Sequence, residues 1–119
     1  MGRRIGGNMK LLDLRNITFS KLYEIEITAE PQQEFSFTID EITFDSEIQT
    51  FASGESRMNI SIDGKLAIKY APINVIMTNL LFYSEIEKGA LFFASDADNI
   101  SELSYKDFGS RLRLFYGSF

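Results

Sequence analysis

The sequence predicts a mainly β fold of the α+β class, an antiparallel β-sandwich or open barrel of about 6–8 strands. Two observations carry this prediction. Apolar and polar residues alternate over most of the first two thirds of the chain, and an Asp-Gly pair joins two of the alternating stretches. A change of period after Pro72 adds one helix near 73–88, and a short helix is expected near 99–106.

The clearest element is a hairpin in "MNISIDGKLAIKY", residues 58–70. Asp63-Gly64 favours the positive φ angles of a type I′ turn, which is the usual two-residue connection of a hairpin. Every second residue on each side of this pair is apolar. These residues are Met58, Ile60, Ile62, Leu66, Ile68 and Tyr70.

Two earlier stretches, 23–28 and 35–40, also alternate and predict strands with one wet face. The alternation slips at Asp40-Glu41, because Ile42 is out of phase with Ile39. A β-bulge or a hairpin turn would each account for the slip. We expect the bulge, since Glu41 does not favour positive φ. Weaker strands are expected at 11–19 and 47–52, and a closing strand at 111–116.

The segment after Pro72 has two interpretations. Its apolar residues lie on one helical stripe, Pro72 suits a first helical turn, and Lys88-Gly89 would end the helix. The alternative is a strand through 74–86 that turns at Lys88-Gly89 into "ALFFAS". We expect the helix. Asn99 and Glu102 have the spacing of a capping box for the second, shorter helix.

We expect residues 9–119 to form a single β-rich domain and residues 1–8 to be a non-native or disordered N-terminal extension. Gly6-Gly7 could be back-translated to a purine-rich ribosome-binding sequence just upstream of Met9. Met9 would then be the natural start, and the gene would be bacterial or phage-encoded.

The absence of His and Cys excludes a Ser-His-Asp triad, a Cys-His pair, a thiolate cluster and a His-bearing zinc site. We therefore expect no enzyme activity, no metal and no cofactor. The isoelectric point of about 4.7 disfavours direct nucleic-acid binding. With no secretory signal and no apolar run near the roughly 20 residues that cross a bilayer, we expect no membrane contact and a cytoplasmic location, in the host if the gene is phage-encoded.

Residues 22–56 carry nine acidic side chains and no basic one. An outward sheet face is often acidic simply for solubility. Like charges on neighbouring strands repel, however, and interspersed lysines would relieve the repulsion, so their absence indicates a field used for binding. The predicted partner-binding residues are Glu24, Glu26, Glu34, Asp40, Glu41, Asp45 and Glu47.

We therefore predict a small acidic, non-enzymatic protein-binding module that blocks a basic partner, for example a nucleic-acid-binding protein, as an inhibitor, anti-defence or immunity-type protein. The alternative is a phage virion structural subunit, of the tail, neck or decoration type, that self-assembles as a homo-oligomer through complementary charged faces. Lys106, Arg111 and Arg113 form the local basic cluster for such a contact. In that case Phe119 and the aromatic-rich ends would lie in the interface.

Overall fold

The computed structural model describes residues 14, 16–74, 76–81, 88–96 and 102–119. In these residues the chain forms seven β-strands and one 3₁₀ turn at Tyr105–Asp107. The strands are β1 (Lys21–Ile25), β2 (Gln32–Ile39), β3 (Ile42–Thr50), β4 (Ser56–Ile62), β5 (Lys65–Pro72), β6 (Gly89–Ala94) and β7 (Arg113–Ser118). None of the helices in this part of the chain is long and apolar enough to span a bilayer.

The strands form two antiparallel sheets, one in the order β2-β3-β4-β5 and the other in the order β1-β7-β6. Their inner faces share one core, to which β3 contributes Phe44 and Ile48 and β7 contributes Leu114 and Tyr116. Phe44 and Tyr116 are fully buried, with ring centroids 5.5 Å apart. The predicted mainly β fold with a sandwich architecture is confirmed, and the described strands do not close into a barrel.

The Asp63-Gly64 hairpin is confirmed. The φ angles of Asp63 and Gly64 are 49° and 86°, and β4 pairs with β5 directly across them. Two register shifts follow along β5, so its inward alternation is lost. Ile68 is buried, whereas Leu66 and Tyr70 are 59% and 44% exposed. The alternation expected for Leu66 and Tyr70 is therefore wrong, because each bulge turns the following side chain to the other face.

Asp40-Glu41 is a hairpin turn, and the expected β-bulge is wrong. Ile39 pairs directly with Ile42, so these two side chains share the core-facing side of the sheet. The connection then needs two residues at positive φ, and Asp40 and Glu41 adopt 53° and 68°. Burial of the flanking apolar residues outweighs the backbone preference of Glu41.

The helix expected near 73–88 is also wrong in its described part, residues 73–74 and 76–81, which form bends and turns. Met77 has a φ of 62°, and its amide donates to the carbonyl of Phe93 at 2.8 Å. Leu80 donates to Leu91 at the same distance, so this segment runs along the edge of β6. The alternative, a strand through 74–86 that turns into "ALFFAS", is not formed in the described residues either, although they do lie beside β6; 75 and 82–87 lie outside the described residues.

Only residues 102–106 of the short helix expected near 99–106 are described, and there the chain enters the 3₁₀ turn Tyr105–Asp107. Ser104 caps it, with its hydroxyl accepting from Lys106 N at 3.3 Å and its own amide donating to Asp107 Oδ2 at 2.8 Å. The cap expected at Asn99 falls outside the described residues. The closing strand is confirmed as β7, and the strand expected at 47–52 is the end of β3.

A second, smaller core covers the outer face of the three-stranded sheet. The Phe19 ring stacks on Phe92 at 5.4 Å and on Phe119 at 5.9 Å between centroids. Gly117 makes this approach possible, since a Cβ there would collide with the Phe19 ring. Phe119 therefore packs within its own chain, contrary to its expected place in an interface. The described part of the expected strand at 11–19, residues 14 and 16–19, contains no strand.

Glu41→Gly should stabilise the fold by up to about 1 kcal/mol, because glycine adopts positive φ without the steric cost that Glu41 bears. Chemical denaturation of both proteins measures the change. Glu41→Gln is the matched control, since it removes the charge and keeps the Cβ. Equal stability of the Gly and Gln variants would contradict the strain argument.

Tyr116→Phe should leave stability at neutral pH unchanged or raise it by up to about 1 kcal/mol, because the Tyr116 hydroxyl is buried without a hydrogen-bond partner in the described structure. Burial raises the pKa of this hydroxyl, and the charges of Asp40 and Tyr23 add to the shift. The folded state therefore favours the protonated form, so stability is lost as the pH rises above about 10.

Unfolding measured at neutral and alkaline pH tests this prediction. The Phe variant should lose less stability than the parent between the two conditions. Tyr70→Phe, at a more exposed tyrosine, controls for general alkaline effects. A large loss at neutral pH would show that the Tyr116 hydroxyl has a partner.

Candidate functional site

The outer face of the four-stranded sheet is open to solvent and forms a shallow groove of about 470 Å³. We call it the open face. Alternate residues of each strand point outward here because side chains in a strand have a period of two. It is lined by Glu34, Ser36, Asp45, Glu47, Asn59, Ser61, Leu66, Lys69 and Tyr70.

Strand register places three carboxylates together on the open face. Glu34 lies directly opposite Glu47, and Asp45 is two residues before Glu47 on the same strand. Neutral donors hold two of them: Ser36 Oγ donates to Asp45 Oδ1 at 2.5 Å, and Asn59 Nδ2 donates to Glu47 Oε1 at 3.0 Å. The Glu34–Glu47 pair therefore brings two like charges face to face, which destabilises the sheet.

None of these three carboxylates has an ion-pair partner among the described residues. The ion pairs of this part of the chain are Arg57–Glu55, Arg111–Asp107 at 3.8 Å and Arg113–Glu24 at 3.6 Å. Arg57 alternates with Asn59 on the outward side of β4 but pairs with Glu55, and the other two pairs lie in or just before the three-stranded sheet. The negative charge on the open face is thus left for solvent or a partner.

Tyr70 is held outward by a small polar network. Its φ is 55°, a region that costs free energy for a residue with a Cβ. The amide of Tyr70 donates to Asn59 Oδ1 at 2.8 Å, and its carbonyl accepts from Arg57 Nη1 at 2.9 Å. Because Asn59 also donates to Glu47, one amide side chain fixes both the acidic and the aromatic part of the face.

The other four predicted binding residues lie elsewhere. Asp40 and Glu41 form the β2–β3 turn, where Asp40 Oδ2 accepts from Ser118 Oγ at 3.2 Å. Glu24 is on β1 in the other sheet, and Glu26 follows that strand as an exposed residue. The acidic stretch of the sequence therefore divides between the open face, one turn and the opposite sheet.

Asn59, Leu66 and Tyr70 are the residues of this face that the sequence analysis did not find. Alternation placed Leu66 and Tyr70 in line with buried Ile68, and only the register shifts between β4 and β5 turn them outward. No local pattern in the sequence marks those shifts. The one available signal was Asn59 itself. A polar residue between the apolar residues Met58 and Ile60 is expected on the outward side of a strand.

The chemistry of the open face suits binding. Within the described ranges, no three or more Asp and Glu side chains are placed to hold a metal ion. The groups on offer are carboxylates, an amide, hydroxyls, the ammonium group of Lys69 and two exposed apolar side chains. Such a surface suits a polypeptide that supplies cations and apolar area together.

Glu34→Lys should raise the stability of the isolated chain by a few tenths to about 1 kcal/mol at low salt, because it replaces the repulsion of Glu47 by attraction. The gain should shrink as salt screens the pair. Thermal unfolding at low and high ionic strength measures both effects. Glu30→Lys is the control, an equal charge change in the loop before β2. The same gain in both variants would mean that total charge, not the Glu34–Glu47 pair, sets the stability.

The family model described as cyanophage baseplate Pam3 plug gp18 matches residues 22–118. The match spans nearly the whole of both sheets and includes every residue of the open face. No curated protein matches the chain. The family match overturns the prediction of an inhibitor, anti-defence or immunity-type protein that blocks a foreign partner. It agrees with the alternative, a phage virion structural subunit.

Proposed function

The chain belongs to the family of cyanophage baseplate Pam3 plug gp18, and from this membership we propose that it is a structural subunit of a phage virion. Within the virion we assign it to the baseplate, as a component that fills a plug position. The observation that carries the proposal is the extent of the match, which runs from β1 to the end of β7.

The architecture supports a structural role. The three-stranded sheet packs on both faces, which gives the chain two cores of buried aromatic and aliphatic residues in a body of 38 × 33 × 26 Å. Interdigitated cores of this kind are poorly compressible. A part that occupies an opening in a larger assembly has to keep its shape under load, and two packed layers of side chains around β7 provide that.

The open face supports contact with other virion proteins. The outer face of the three-stranded sheet is covered by the second core at β6 and β7 but exposed at Leu22 of β1, whereas the outer face of the four-stranded sheet is exposed from β2 to β5. A subunit that holds its place in an assembly needs such a surface. We propose that the partner is a protein with a basic surface and that the chain is made in the host cytoplasm before assembly.

Quantitative mass spectrometry of purified particles of the encoding phage tests the proposal. We expect the chain in intact particles and in isolated baseplates, at a small fixed number of copies per particle. A non-structural phage protein from the same lysate is the control for carry-over. Abundance in infected cells together with absence from washed particles would overturn the proposal.

Localisation within the particle sharpens the test. An affinity label belongs at the N-terminus, because Phe119 packs on Phe19 and its amide donates to Lys88 O at 2.9 Å. Labelled particles viewed by electron microscopy should carry the label at the baseplate. If the label lies on the head or along the tail instead, the structural role is supported and the plug position is contradicted.

A further inference from the structure

The two sheets differ in how much of their surface is covered. On the three-stranded sheet, Phe19 stacks on Phe92, Phe92 stacks on Phe115, and the guanidinium carbon of Arg113 lies 5.2 Å from the Phe115 ring centroid. On the four-stranded sheet, the described residues leave the outer face exposed. The open face is therefore the sheet surface on which another chain can lie without displacing part of this one.

The open face is divided into two halves of different chemistry. Glu34, Asp45 and Glu47 on β2 and β3 form the acidic half. Leu66 and Tyr70 on β5 form the apolar half, at 59% and 44% exposure. Both halves cost free energy in the isolated chain, through like-charge repulsion and through apolar surface in water. A partner that brings cations to one half and apolar area to the other relieves both costs.

The same chain carries a surface with that combination on its opposite side. Lys106 in the Tyr105–Asp107 turn, Arg111 before β7 and Arg113 in β7 are exposed; we call these three residues the basic patch. Leu22 is 57% exposed and lies on the same side of the three-stranded sheet as Arg113, since it pairs with Gly117 and side chains of one face recur every second residue.

The basic patch does not neutralise the acidic half of its own chain. Arg111 lies 3.8 Å from Asp107 and Arg113 lies 3.6 Å from Glu24, both in the three-stranded part of the molecule. Both arginines are about half exposed, so most of their hydrogen-bonding capacity faces solvent. Lys69 lines the open face but forms no ion pair with the acidic half among the described residues, so a second molecule can supply the complement.

We infer that the open face of one copy docks on the basic patch and Leu22 of a second copy. The two surfaces are different, so the contact is heterologous, and repetition of it builds a ring or an open stack. The inference deepens the proposed structural role and rests on it. Its test uses the purified chain alone, so its outcome is independent of where the protein lies in a particle.

Sedimentation velocity over a range of protein concentrations gives the association state. The parent should associate at low salt and dissociate as salt rises, because the contact contains exposed charge pairs. Glu34→Lys with Asp45→Lys reverses the acidic half, and Lys106→Glu with Arg111→Glu reverses the basic patch. Each double variant alone should associate roughly tenfold or more weakly than the parent.

Mixing the two double variants tests the head-to-tail geometry. The reversed basic patch leaves an intact open face, and the reversed open face leaves an intact basic patch. One native contact can therefore form between them, and the two reversed surfaces are also complementary in charge, so the mixture should regain the association that each double variant loses alone. Glu30→Lys with Glu41→Lys is the matched control, since it changes the charge of the same acidic stretch at a loop residue and a turn residue, outside both the open face and the basic patch, and should associate like the parent.

Leu66→Ser tests the apolar half without a change of charge. Leu66 is exposed, so the variant should fold with parental stability and still associate more weakly. A parent that stays monomeric at every concentration in low salt would overturn the inference. So would double variants that both lose association but fail to combine when mixed, which would assign the open face to a different protein.

Discussion

The contact between Phe44 of β3 and Tyr116 of β7 determines the arrangement of the rest of the molecule. These rings are fully buried with centroids 5.5 Å apart, and they mark the line along which the two sheets meet. Because side chains of a strand alternate, fixing Phe44 inward also fixes Asp45 outward. In the same way, Tyr116 inward places Phe115 outward, where it joins the second core under Phe19.

The two central strands thus use their outward sides differently. On β7 the outward residue Phe115 is apolar and the chain covers it with its own N-terminal segment. On β3 the outward residues are Asp45 and Glu47, which no described residue neutralises. One sheet finishes its packing within the chain, and the other leaves its outer face as a binding surface.

Sequence patterns predicted the elements whose cause is local. Asp63-Gly64 was predicted correctly because both residues tolerate the turn by themselves. Asp40-Glu41 was missed because the turn there is imposed by Ile39 and Ile42, which must both face the core. The apolar spacing around Met77 fits a helix as well as an edge segment. The edge segment forms because the carbonyl of Phe93 on β6, which would otherwise be unpaired, accepts a hydrogen bond from Met77 N. This is a tertiary contact, which the local sequence does not specify.

The candidate site was predictable to a similar degree. Period two correctly placed Glu34, Asp45 and Glu47 outward, but it cannot say which sheet a strand joins, and Glu24 went with β1 to the other sheet. The apolar half was not predictable, since Leu66 and Tyr70 face outward only because β5 slips twice against β4. Asn59 then holds the strained Tyr70 by its amide, a contact set by register.

The segregation of charge explains why the sequence suggested two functions with equal force. A negative region of sequence without counter-charges attracts a basic surface, whether that surface belongs to a foreign protein or to another copy of the chain. The distribution of charge along the sequence therefore does not distinguish the two functions. Geometry separates them, because Arg111 and Arg113 lie on the far side of the molecule from Glu34 and Asp45, turned away from them. Opposite charges on opposite sides of one rigid body cannot meet within it, but they meet without distortion when copies stack in one direction. The contact inferred for the open face therefore needs a second copy, whose reverse side supplies the complementary charge.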